Sequence, residues 1–324
     1  MYPRERGAAL IFVLLIISVL SIIAVQINEQ LRFNVKRLDN QRQNGQAYWY
    51  SVGGEQLARA LLEQIEKDKP VHLAQPWATE DAVFPIEGGV LQGRVVDAQA
   101  CFNLNNLLVV RNPGEAPPAE TVYEKQFTAL LASLGFDAVR AMQLRDRIQD
   151  WLDADFQVNG LYGAEDLDYS DRDLAFQSAN GLMAAVSELN LLVQLKPEEL
   201  DALSNLLCVV PETATKININ TLKPEQAPLL VILLNGVLSE EAATQLLQQR
   251  PEQGWESVAQ FLEDPALAGK TLPEDYRDKL AVQSTFFRAT INVLYYDTQF
   301  SLQSLMEVQD KKSRVLSRRY GELF

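Results

Sequence analysis

The chain has 324 residues, of which 47% are hydrophobic and 22% are charged, so it can build a proper core and is long enough for two domains. Its net charge of −14 argues against a nucleic-acid partner, because surfaces that bind phosphate need clustered lysines and arginines. The single histidine, His72, nearly excludes Ser-His-Asp triads and zinc sites built on histidine.

A long apolar segment follows Arg4 and Arg6. The run from Ala8 to Val25 contains 18 residues without a charge, which is just long enough to cross a bilayer. A cleaved secretory signal would be shorter and would end in an A-x-A pattern, which is absent here. Three hypotheses remain: a secretory signal, a plain membrane anchor, or a segment that is kept and used outside the lipid.

Helical spacing continues beyond the apolar run. Apolar residues recur at intervals of three and four at Ile27, Leu31, Val35 and Leu38. The same spacing resumes at Trp49 and predicts a helix that runs from about Ala8 to Lys69, before Pro70, over roughly 90 Å. Within it, Gly53-Gly54 predicts a bend or a close contact.

The junction "RGAALIFVLLII" resembles the class III signal of type IV pilins and type II secretion pseudopilins. The resemblance implies that a prepilin peptidase cleaves between Gly7 and Ala8 and leaves the apolar helix in a mature, methylated chain. Most members carry glutamate at the fifth mature position, where this chain has Phe12, and the minor pseudopilin K family typically lacks that glutamate. A buried carboxylate without a partner amine is costly, so Phe12 suits a subunit that lacks this neighbour.

The rest of the chain alternates between strand-like and helical regions. Strand character is evident in residues 88–107 and returns in residues 286–296 and 300–324, with a hairpin loop expected at Asp310–Ser313. A helical block from about 105 to 280 separates them, which predicts an inserted domain. The predicted fold is α+β: a long N-terminal helix packed on an antiparallel sheet, with a large all-α domain inserted into the sheet. Its expected parts are a leader (1–7), a transmembrane part of the helix (8–28), a periplasmic helix with the first strands (29–104), the inserted domain (105–280) and the C-terminal strands (281–324).

Further segments are similar to pseudopilin K, so that the resemblance covers nearly the whole chain. They are "DWLDADFQVNGLYGAEDLDY" (150–169), "SAN" (178–180), "SELNLL" (187–192) and "ININT" (217–221). The resemblance implies a single-pass inner-membrane protein with its bulk in the periplasm, which forms the tip of the pseudopilus and supports export of folded proteins across the outer membrane. The partners it implies are minor pseudopilins I and J, then pseudopilin H, the major pseudopilin G, the prepilin peptidase and the inner-membrane assembly platform.

A competing hypothesis comes from residues 217–264, which resemble a helix-hairpin-helix segment of membrane-tethered DNA-binding proteins. Such hairpins bind phosphate through a glycine-rich turn. Here the turn, Leu234–Leu238, has one glycine and is followed by Glu240 and Glu241, so we expect a structural helix pair and no nucleic acid. An enzyme is not expected, because the sequence has neither a G-x-S-x-G elbow nor a P-loop.

An acidic segment lies inside the predicted helical domain. Asp153, Asp155 and Gln157 alternate, and Glu165 and Asp166 follow, which is how oxygen ligands for calcium are arranged on a tight loop. On the residues alone, an exposed acidic turn is an equal alternative. The resemblance to pseudopilin K implies a structural calcium site, and Asp150 is a further candidate ligand beside these five.

Two cysteines lie about a hundred residues apart, Cys101 shortly before the predicted helical block and Cys208 within it. In an oxidising periplasm they predict one disulfide. The alternative is two buried thiols that are too far apart to bond.

Overall fold

The computed structural model describes residues 8–110, 119–170 and 175–321. The helices are α1 (Ala8–Leu62), α2 (Val122–Ser133), α3 (Ala138–Leu152), α4 (Asp166–Ser170), α5 (Leu189–Leu192), α6 (Pro197–Ser204), α7 (Ala227–Leu233), α8 (Glu240–Gln248), α9 (Val258–Leu262) and α10 (Glu274–Arg277). The strands are β1 (Ala82–Ile86), β2 (Gly89–Asp97), β3 (Phe102–Asn103), β4 (Leu207–Cys208), β5 (Ile217–Asn218), β6 (Leu280–Ala281), β7 (Phe286–Tyr295), β8 (Thr298–Gln309) and β9 (Lys312–Tyr320).

Helix α1 ends at Leu62, so the predicted extension to Lys69 is wrong. After Leu62 the chain tightens: the Ile65 N–H donates to the Leu62 carbonyl at 3.1 Å, one residue closer than in an α-helix. Asp68 then adopts a positive φ of 63°, which an α-helix does not allow. Pro70 did not set the end of the helix, because the helical hydrogen bonds stop several residues before it.

Five antiparallel strands form the main sheet in the order β1-β2-β7-β8-β9. The turn between β8 and β9 consists of Asp310 and Lys311, both with positive φ, so the hairpin loop is two residues rather than the predicted four. Strand β1 was not predicted. It contains Pro85, and it lies at the edge of the sheet, which is where a strand tolerates proline.

The C-terminal half of α1 packs across one face of this sheet. A Cβ on Gly54 would lie 2.9 Å from Ile291 Cγ2, so the helix and strand β7 approach closely there, as the glycine pair predicted. Leu62, Phe287 and Met306 are fully buried between helix and sheet. This layer holds the helix in a fixed position against the strands.

Glu55 of α1 is also buried in this layer. Its carboxylate accepts hydrogen bonds from Arg318 Nε at 2.7 Å and Nη2 at 2.8 Å, and from the Ser304 hydroxyl at 2.5 Å. A charged group at this depth requires such partners, so the pair fixes α1 against β8 and β9.

In the sequence, the helical region lies between β2 and β7. These two strands are neighbours in the sheet, where Asp97 at the end of β2 pairs with Phe287 near the start of β7. It has its own core, which includes Phe127, Leu130, Leu144 and Ile148. The α+β fold class is therefore confirmed, with helices placed between two adjacent strands. The expected boundaries at 105 and 280 stay a prediction.

Candidate functional site

The acidic segment begins at the C-terminal end of α3. Asp153 is the C-cap that follows Leu152, and its N–H donates to the Gln149 carbonyl at 2.9 Å. Helix C-termini carry partial negative charge, so a buried carboxylate at this end is electrostatically unfavourable unless a cation is near. The helix thus delivers a carboxylate to a position that favours positive charge.

Asp150, one turn earlier, shapes the loop that follows. It is fully buried, and its two oxygens accept hydrogen bonds from the Asn159 N–H at 2.8 Å and the Ala164 N–H at 2.6 Å. Burial raises its pKa to about 7. A Cβ on Gly163 would lie 2.2 Å from Asp150 Oδ2, so glycine is required for this close approach. Asp150 therefore acts as the support for the loop.

The loop brings three carboxylates together. One oxygen each of Asp153, Asp155 and Glu165 lie within 4.8 Å of one another. Glu165 is 6% exposed, and neither of its carboxylate oxygens has a hydrogen-bond partner among the described residues. Burial and the surrounding aspartates raise the pKa of Glu165 to about 7. A buried carboxylate with no hydrogen-bond donor is unfavourable unless a cation lies beside it.

Three other predicted ligands lie outside this cluster of carboxylates. Asp150 uses both oxygens for backbone N–H groups, and Asp166 accepts a hydrogen bond from the Ser178 N–H at 2.8 Å. Gln157 is exposed, and its N–H donates to Asp155 Oδ1 at 2.7 Å. They position the loop and its neighbours.

Asn159 is a candidate ligand that the ligand prediction missed. Its side chain is 1% exposed; Nδ2 donates to Asp153 Oδ2 at 2.8 Å, while Oδ1 is buried without a partner among the described residues. An amide oxygen is a good calcium ligand. Its place in the "D-x-D-x-Q-x-N" alternation was the available signal, because Asn159 continues the same spacing.

Cys101 and Cys208 form a disulfide in the structure, with Cα atoms 5.7 Å apart. Cys101 precedes β3 and Cys208 lies in β4, and these two short strands pair in parallel. The bond therefore joins the first and later parts of the helical region next to its junction with the sheet.

The described side chains of α1 from Leu10 to Arg42 are all exposed. By length and composition this apolar helix could cross a membrane, and none of its most apolar stretch is buried by the rest of the described structure. Phe12 is 68% exposed on it, and Leu31, Val35 and Leu38 form an exposed stripe further along. Of the expected cleavage site, Ala8 begins α1, while Gly7 lies outside the described residues.

Two family models match this chain, and both are described as type II secretion system protein K. They cover residues 100–212 and 217–283, which is more than half of the chain. The chain belongs to the protein K family of the type II secretion system.

Individual relatives of protein K agree with this assignment. The protein from Klebsiella pneumoniae is 38% identical, over 99% of this chain and 98% of the relative. The protein from Aeromonas hydrophila is 36% identical, over 98% of each. A crystal structure of the GspK-GspI-GspJ complex from enterotoxigenic Escherichia coli matches with a TM-score of 0.79 and 32% identity, covering 89% of this chain and 100% of that one.

As a protein K, the chain is a minor pseudopilin and a structural component of this secretion system. None of these comparisons supports the DNA-binding alternative. The helix pair that suggested it, α7 and α8, encloses a turn in which the Val237 carbonyl accepts a hydrogen bond from Lys270 Nζ at 2.7 Å.

Proposed function

We propose that this protein K forms the tip of the periplasmic pseudopilus together with minor pseudopilins I and J. The observation that carries the proposal is the likeness, over the whole of that chain, to a GspK that is described in complex with GspI and GspJ. Pseudopilin H, the major pseudopilin G, the prepilin peptidase and the inner-membrane assembly platform are the further partners that this role requires.

The contact surface we propose is the exposed apolar stripe of α1. Leu31, Val35 and Leu38 are 58–64% exposed and recur with helical spacing, so they form one face that no described residue covers. An amphipathic stripe of this kind is suited to packing against the helix of a neighbouring subunit.

The test is co-purification of the chain with pseudopilins I and J from the same organism, in detergent. We expect a ternary complex with the wild-type chain and its loss when Leu31 and Val35 are both replaced by Asp. Asn40→Asp, on the opposite face of the helix, is the matched control and should leave the complex intact. A chain that stays monomeric with both partners would contradict the tip role.

We also propose that α1 anchors the chain in the inner membrane, with the rest in the periplasm, after cleavage between Gly7 and Ala8. Its exposed apolar length supports this placement. The protein would then be the substrate of the peptidase and would have no catalytic activity of its own.

A calcium ion is the third part of the proposal. Asp153, Asp155 and Glu165 supply hard oxygen ligands, and Asn159 Oδ1 adds a neutral one. A cation held there would offset the repulsion among the three carboxylates and the burial of Glu165. Its role would be to hold the loop after α3 in one conformation.

Thermal melting with calcium and with chelator tests this site. Calcium at about a hundred times its dissociation constant should stabilise the native state by about 2.7 kcal/mol, which raises the Tm by several degrees. Glu165→Gln should remove most of that rise, whereas Glu256→Gln, an exposed carboxylate elsewhere, should leave it unchanged. An equal Tm with calcium and with chelator in the wild-type protein would refute the site.

A further inference from the structure

A cleft of about 900 Å³ lies between the main sheet and the helical region, on the face of the sheet opposite α1. The sheet contributes Arg288 from β7, Leu305 from β8 and Arg319 from β9. The helical region contributes the segment around Val186, helix α6 and strand β4. The volume of the cleft is near the upper end of the range for ligand sites and far exceeds the volume of an inorganic anion.

Arg288 is the unusual residue of this cleft. It is half-buried, and its guanidinium makes no hydrogen bond or ion pair with any residue in the described ranges. Burial lowers its pKa, and the nearby charge of Arg319 lowers it further. A half-buried guanidinium without an acceptor among the described residues keeps its donors available for an acceptor from a partner.

Arg319 stands close to Arg288 and is only partly engaged. Its Nη2 donates to the carbonyl of Ala184, which also lines the cleft, and this hydrogen bond connects β9 with the helical region. The acidic residues that line the cleft, Glu198 and Asp201, are exposed on α6 and pair with neither arginine. The sheet side of the cleft is therefore cationic, although the chain as a whole carries a net charge of −14.

Apolar side chains complete the lining. Leu207, Val209 and Leu305 lie beside the two arginines. The adjacent β9 is the outermost strand of the described sheet, so an extended segment can lie alongside it. A guanidinium can donate two parallel hydrogen bonds to one carboxylate. The apolar side chains of the cleft can contact aliphatic or aromatic residues next to that carboxylate.

We infer that this cleft binds an extended acidic segment of a partner protein, whose carboxylate pairs with Arg288 and Arg319 while flanking apolar side chains pack on Leu207, Val209 and Leu305. The site is independent of the stripe on α1 and of the acidic loop. It gives the chain a peptide-binding face besides its helix contacts.

The experiment uses the full chain in nanodiscs of neutral lipid and a displayed library of short random peptides. Selection on the wild-type protein should enrich Asp or Glu flanked by apolar residues, and selection on Arg288→Gln should lose that enrichment. A labelled peptide of the selected sequence should bind the variant at least about ten-fold more weakly in fluorescence anisotropy, because a charge-assisted pair is lost.

Several controls make the result specific. Arg314→Gln, which removes an exposed charge on β9, should change the affinity less than about two-fold. Arg288→Lys should bind with intermediate affinity, since it keeps the charge but not the fork. The Tm of each variant shows that it is folded, and Arg288→Gln should melt no lower than the wild type.

The inference is overturned if selection enriches no carboxylates, or if the selected peptide binds Arg288→Gln as tightly as it binds the wild type. It is likewise overturned if a peptide with Asn and Gln in place of Asp and Glu binds the wild-type protein as tightly as the selected peptide does. It is also overturned if millimolar phosphate displaces the peptide completely, which would indicate a small-anion site. Arg288-dependent binding to phosphatidylglycerol vesicles in place of the peptide would overturn it in favour of a lipid headgroup.

Discussion

The buried pair of Glu55 and Arg318 should be asymmetric in its energetics. The Glu55 side chain is 0% exposed, whereas that of Arg318 is 41% exposed. Removing the arginine charge leaves a carboxylate buried without its cation, while removing the carboxylate leaves a guanidinium that can reach water. We therefore expect Arg318→Gln to be more destabilising than Glu55→Gln.

The magnitudes follow from the contacts. Breaking a buried pair destabilises by about 3–5 kcal/mol, and the remaining hydroxyl of Ser304 places Arg318→Gln at the low end, about 3 kcal/mol. Glu55→Gln should destabilise by about 1 kcal/mol, since it loses charge-assisted bonds at a partly solvated partner. The double variant should lose only about 2 kcal/mol, less than the sum of the two, because neither charge is then left alone.

The pH dependence gives an independent signature. Burial raises the pKa of Glu55, but hydrogen bonds from Arg318 and Ser304 together with the arginine charges outweigh it, so that its pKa is held below the usual value. In the wild type the stabilisation is thus present above the unfolded pKa and is lost as the pH falls through the folded one. In Arg318→Gln burial dominates, the folded pKa rises above the unfolded one, and stability should be lost as the pH rises instead.

Thermal melting of the four proteins at mildly acidic and mildly alkaline pH measures both effects, with Tm shifts of roughly 2–4 °C per kcal/mol. Arg314→Gln, an exposed arginine on the same strand, serves as the control for charge removal. The reasoning fails if the two single effects add within about 0.5 kcal/mol, or if Arg318→Gln keeps the pH profile of the wild type.

Three further predictions concern other parts of the chain. Mass spectrometry after co-expression with the prepilin peptidase should find a mature chain that starts at Ala8, and a chain that retains the leader would contradict this. Alkylation without reductant should leave both cysteines unmodified, and reduction should destabilise the protein by up to about 4–5 kcal/mol in the chain-entropy model; quantitative labelling of native protein would refute the bond. Burial raises the pKa of Asp97 to about 6, despite hydrogen bonds from Ser284, Thr221 and the Gln99 N–H. The stabilisation of the folded state by protonated Asp97 is therefore present below the unfolded pKa and is lost as the pH rises through about 6. Asp97→Asn should therefore raise the Tm relative to the wild type more at pH 8 than at pH 4.5, and an equal difference at both would contradict it.

Much of the architecture follows from local pattern. Apolar spacing identified the long helix, and strand-like composition together with the turn at Asp310 and Lys311 identified the last three strands. Strand β1 was missed because it is short, exposed on most positions and contains Pro85. The end of α1 was placed too late because helical spacing continues to Ile65, which still packs against the core beneath α1 although the helix ends at Leu62.

The residues of the candidate sites could also be predicted from the sequence only in part. Asp153, Asp155 and Glu165 were predictable because their carboxylates lie within one loop of the sequence. The supporting role of Asp150 was not, since it depends on which backbone N–H groups the folded loop turns inward. The cleft around Arg288 joins residues 184–209 with residues 288–319, which are far apart in the sequence, so that no local pattern could indicate it.

The placement of the helices between β2 and β7 sets the order in which the chain can fold. The ribosome supplies α1 and β2 first, yet the strands they pack against are the last to be synthesised. The helical region has its own core and can form meanwhile, whereas the sheet depends on contacts between distant residues, which form slowly. A copy that is truncated anywhere before β7 lacks the strand that pairs with β2 over its whole length and that contacts α1 at Gly54 through Ile291. Only complete copies can therefore hold α1 rigid, and an unfinished subunit is recognisable by an unsupported helix.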